Sequence, residues 1–98
     1  MQTRIIRMAP IIPLDARVVH LLLPIKGGAK ALGLYCLVLE AIGQGESAEI
    51  PRADLARLMG ISVSTLDRTA KLLESTGLAE RSPTFTDERG QGHNAWRL

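Results

Sequence analysis

The sequence is short of the residues that most often announce a function. It holds one cysteine, Cys36, among 98 residues, so no intramolecular disulfide can form and a disulfide-stapled secreted scaffold is excluded. A reducing, cytoplasmic setting is the expectation. Aromatics are equally scarce: Tyr35, Phe85 and Trp96 are the whole supply, too few to line a channel with platforms for unstacked bases. Long hydrophobic runs are missing too. The longest, Ala31 to Ile42, is broken by Glu40 and falls short of the roughly 20 residues that cross a bilayer. Pro10, Pro13 and Pro24 interrupt the apolar stretches of residues 1–30, and no small-residue cleavage site follows them, which argues against a signal peptide. His20 and His93 are too few and too far apart for a metal site, so neither metal nor other cofactor is expected.

Catalytic motifs are absent as well. The stretch Gly90-Gln91-Gly92-His93-Asn94-Ala95 matches G-x-G-x-x-A by letter, but a nucleotide fingerprint needs a strand before it and a helix after it. No P-loop, G-x-S-x-G, HExxH or paired-cysteine pattern occurs. The expectation is a protein that is not an enzyme.

What is present is an aliphatic chain of one-domain size. Hydrophobic residues make up 46% of it, enough for a packed core and too many for a disordered chain. The formal charge of +2 conceals an uneven distribution. Residues 1–30 carry Arg4, Arg7, Arg17, Lys26 and Lys30 against Asp15 alone, a local excess of four positive charges. Residues 31–98 hold seven basic and nine acidic side chains, a local balance of −2.

Proline and glycine punctuate the chain into elements. Residues 1–13 read as an irregular or extended arm. Leu14 to Leu23 suits a short helix with Asp15 as N-cap, and Pro24 is expected to force Leu23 out of the helical region. After the Gly27-Gly28 break, Ala29 to Ile42 reads as a long helix. Ala31, Leu34, Tyr35, Val38, Leu39 and Ile42 form its apolar stripe. Leu32, Cys36 and Leu37 lie off the stripe and are apolar too, so this helix must be covered on more than one side. Segment 14–25 or a second subunit could do so. A buried, inert cysteine is the natural reading of Cys36.

Ala48-Glu49-Ile50 reads as a very short strand, and Pro51 pre-sets a second helix running to about Met59. Gly60 turns the chain, and Ser62 caps a third helix that ends before Gly77; Ser64 with Asp67 offers a second capping start. Ala79 to Thr86 and Asn94 to Leu98 read as strands joined by a loop from Asp87 to His93, with Trp96 on the core side.

The informative stretch runs from Arg52 to Leu78. Ala56 and Gly60 supply the small residue and the turn glycine that two crossing helices need. Ile61 and Leu66 would plug the angle between them. Leu66, Ala70 and Leu73 share one face of the third helix, and Ser64, Arg68, Lys71 and Ser75 share the opposite one. That outer face, small, polar and basic, is what a helix offered to a major groove requires.

The segment LARLMGISVSTLDRTAKLLESTGL resembles the helix-turn-helix of winged helix-turn-helix proteins, and the ending GHNAWRL is similar to the closing wing strand of DnaD-like primosomal proteins and plasmid or phage replication initiators. MarR- and GntR-type regulators share the layout. The resemblance covers about residues 29–98. It implies a mainly α fold with a small β-hairpin wing (α+β), divided into an N-terminal arm and short helix (1–28) and a winged domain (29–98). It makes Ser62, Val63, Ser64, Thr65, Asp67, Arg68 and Lys71 the DNA-facing half of the recognition helix. Arg52 and Arg57 flank it near the backbone, and Arg89, Gln91 and His93 occupy the wing tip. Val63 and Asp67 depart from the family's polar or basic preference, and Asp67 sets a negative charge beside the reading face. Asp87 and Glu88 make the base of the wing less basic.

The expected partner is double-stranded DNA, with the chain acting as a nucleoid-associated transcription regulator or replication or partition factor. A homodimer is expected through the arm and the helix at 29–42, because a two-fold pair doubles a small footprint. Arg4 and Arg7 could add phosphate contacts from the arm, unless its isoleucines make it a clasp on the second subunit. The alternative is a winged-helix module that binds protein instead of DNA, favoured by the near-neutral body and by Asp67, Asp87 and Glu88.

Overall fold

In the computed structural model, which describes residues 11–86 and 92–98, helix formation starts where the sequence offers a cap. The Asp15 carboxylate accepts the Arg17 backbone N–H at 2.8 Å and opens α1 (Ala16–Leu22). Then follow α2 (Gly28–Ile42), β1 (Ala48–Pro51), α3 (Arg52–Met59), α4 (Val63–Ser75), β2 (Glu80–Thr86) and β3 (Gly92–Arg97). The class is α+β, four helices and one small antiparallel sheet among the described residues.

Two local expectations are corrected. Leu23 keeps helical backbone angles (φ −55°, ψ −39°) in spite of Pro24. Its N–H bonds to the Val19 carbonyl, and Ile25 N–H returns to Leu22, which offsets the steric bias that proline imposes on its predecessor. The three strands read from the sequence pair into one sheet, the last of them starting earlier than expected. The strand order is β1-β3-β2, with Ala48 opposite Trp96 on one side and Arg81 opposite Trp96 on the other. Pairing on both sides extends β3 back to Gly92, so His93 belongs to the strand, facing Pro51 and Phe85 in register. Pro83 is tolerated because β2 is an edge strand with an irregularity between Pro83 and Phe85.

The corner between α1 and α2 is tight. Gly27 adopts φ 79°, and a Cβ at Gly28 would stand 1.6 Å from the Leu22 carbonyl oxygen. Only glycine lets the start of α2 lie against the last turn of α1.

Helix α2 is the centre of the molecule, touching α1, α3, α4, β1 and β3. Its neighbours bury Ala31, Leu34 and Val38 and half-bury Leu32, Tyr35, Cys36, Leu37, Leu39 and Ile42. The apolar faces that called for cover are covered largely by the chain's own elements. Trp96, Leu22, Leu34, Leu55, Leu66, Leu73 and Val38 are the largest fully buried side chains, each contributing about 1.5–3 kcal/mol by burial. No helix among the described residues is long and apolar enough to cross a membrane.

Candidate functional site

Helices α3 and α4 meet through a turn whose geometry follows from two residues. Gly60 takes a left-handed conformation (φ 69°), its N–H reaches Arg57 O at 3.1 Å, and Ile61 N–H reaches Ala56 O at 3.0 Å. This pair of bonds ends a helix and redirects the chain with its carbonyls satisfied. Ala56 is buried at the crossing, and Ile61 packs against the core beside fully buried Leu66. Ser62 then starts α4, its hydroxyl oxygen accepting the Thr65 N–H at 3.1 Å. Ser62, and not Ser64, is the cap.

The two faces of α4 separate cleanly. Leu66, Thr69, Ala70 and Leu73 are buried, and the Thr69 hydroxyl is satisfied within the helix by donating to Thr65 O at 2.9 Å. Ser64, Arg68, Lys71 and Ser75 are exposed. Val63 joins them at 37% exposure. Thr65 is half-buried, and its hydroxyl oxygen accepts from Ser62 Oγ at 3.0 Å and Arg68 Nη2 at 3.1 Å. One donor of the Arg68 guanidinium is thereby fixed to the helix, leaving the rest of its five N–H groups directed elsewhere.

Asp67 and Arg52 have a different setting from the outer face. Arg52 Nη1 lies 2.9 Å from one Asp67 oxygen, and Arg81 Nη1 lies 3.8 Å from the other, which is buried without a hydrogen-bond partner. Arg81 also holds Glu74 at 3.0 Å and spreads its guanidinium over the Trp96 ring at 5.7 Å. The acid that seemed to oppose the reading face is neutralised by two arginines, and Arg52 is engaged by it. Arg57 is paired with Asp54 at 3.1 Å yet remains 71% exposed. Among the described residues, Lys26, Lys30, Arg68 and Lys71 form no salt bridge with any acid.

Arg4, Arg7, Arg89 and Gln91, with Asp87 and Glu88, lie outside the described residues. Arg81 is the residue that sequence reasoning missed. Its signal was present: Asp67 and Glu74, two turns apart on one helix, make an acidic stripe that requires a cation from another element. No group of three or more potential metal ligands occurs among the described residues. Compared with family models, with curated proteins and with solved structures, the chain matches none.

Proposed function

We propose that this chain is a winged helix-turn-helix protein that binds double-stranded DNA, reading its site with the outer face of α4 and using the β2–β3 hairpin as its wing. The observation that carries the reading is the bare face of α4. Ser62, Val63, Ser64, Arg68 and Lys71 stay exposed on a helix whose opposite face is buried, and neither Arg68 nor Lys71 is paired with a described acid. Small side chains at the helix start allow close approach to base edges, Arg68 can address a guanine bidentately, and the Val63 methyls suit a thymine methyl. The proposed role is control of transcription, replication or partition in the cytoplasm, without catalysis.

The proposal includes a two-fold dimer. Among the described residues, α2 contributes none of the large exposed apolar side chains, whereas Ile11, Leu21 and Leu23 are exposed on the N-terminal segment. The end of the arm together with α1 is therefore the favoured contact. A second reading, a protein-binding module, is favoured by Leu58, 66% exposed beside the turn.

Titration of labelled duplex selected from a random library, at several salt concentrations, tests the function. Affinity should fall with salt at a log–log slope of about −0.9 per phosphate neutralised, and Arg68→Ala/Lys71→Ala should weaken binding at least about ten-fold. A folded wild type that leaves every duplex unbound at low salt supports the protein-binding module instead.

A further inference from the structure

The basic front of the sequence folds back toward the candidate reading helix. Lys26 stands in the α1–α2 corner and Lys30 in the first turn of α2. Both line an open cleft of about 410 Å³ together with Thr65, Arg68, Thr69 and Leu72 of α4. Three cations from three places in the fold therefore border one cleft, and no described acid pairs with any of them. Like charges brought together without an acid raise the potential of the surface between them, and an anion relieves it. Leu72 adds an apolar side chain to the lining of the cleft. The start of α2, capped by no side chain, adds the positive end of its dipole.

Resting on the DNA reading above, we infer that this cleft seats one phosphodiester of the DNA backbone, held by Lys26 and Lys30 with Arg68 shared between phosphate and base edge. Three point charges around an open concavity suit a tetrahedral anion approached from outside. The cleft borders Arg68, the inner boundary of the reading face, where a backbone strand flanking the groove passes. Its role is to fix register: phosphate contacts orient a protein on the duplex, while base contacts carry the sequence.

Lys26 and Lys30 are exposed, so Lys26→Gln/Lys30→Gln is expected to melt like wild type. On a duplex selected by the wild type, it should lose about ten-fold in affinity, equally for selected and scrambled sequences. Its salt slope should shrink by about 1, the share of one phosphate. Lys26→Arg/Lys30→Arg should keep the wild-type slope. Unchanged affinity and slope in the glutamine variant, with the wild type bound, overturns the cleft and leaves the DNA reading standing. A wild type that binds no duplex overturns both.

Discussion

Cys36 shows how a lone reactive side chain becomes a structural one. It sits half-buried within α2, and burial pushes its thiol pKa above the ordinary 9, as burial does, more than any nearby charge, for the neighbouring Tyr35 hydroxyl. Only the thiolate is nucleophilic, so alkylation of the folded protein at pH 7.5 should run well below the rate for a free cysteine. It should accelerate on adding denaturant, and its rise with pH should continue past the range in which a free thiol levels off. Thiol labelling followed by mass spectrometry measures this; a folded protein alkylated at the free-cysteine rate contradicts it. Asp15 illustrates the opposite environment: at the surface, the Arg17 guanidinium and backbone N–H hold its carboxyl down at about 2. Both capping residues, Asp15 and Ser62, were legible in the sequence because a cap bonds to an amide two or three residues away. The pairing of Asp67 was not, because its partners, Arg52 and Arg81, come from other elements.

At the scale of elements, the same distinction between local and distant information recurs. The turn between α3 and α4 and the two faces of α4 follow from spacings of three and four residues, and both were readable. The α1–α2 corner was readable only as a break, since the closeness of Gly28 to the Leu22 carbonyl depends on how two helices pack. Two glycines of α2 therefore respond in opposite directions. Gly28→Ala should destabilise the protein by about 3 kcal/mol, because the obstacle is backbone and cannot rotate away. At Gly33 the nearest atom to a new Cβ is Met59 Cε at 4.0 Å, so Gly33→Ala should stabilise it by about 0.5–1 kcal/mol through helix propensity. Urea denaturation of the two variants decides; a neutral Gly28→Ala would show that the corner opens freely.

Across the whole molecule, Arg81 joins the sheet to the helices, meeting Asp67 and Glu74 of α4 and the Trp96 ring of β3, while Arg52 ties the start of α3 to the same aspartate. Arg81→Met keeps the apolar contact with the ring but leaves two acids short of a cation. The expected loss is about 2 kcal/mol, between the values for exposed and fully buried pairs. Chemical denaturation at pH 7 measures it. The sequence window of α4 shows the acidic stripe but not which cation meets it, and the short strand β1 was legible while its pairing with β3 was not, because both partners lie far along the chain. The strand order also governs how the chain comes together in time. β3 lies between β1 and β2 and supplies Trp96, the largest of the fully buried side chains. Until residues 92–97 have been synthesised, β1 and β2 have no strand to pair with and the core lacks its bulkiest component. Such distant pairings are slow to form. On the ribosome the earlier helices must therefore wait, with unpaired strand edges exposed, for the last described strand to complete the sheet.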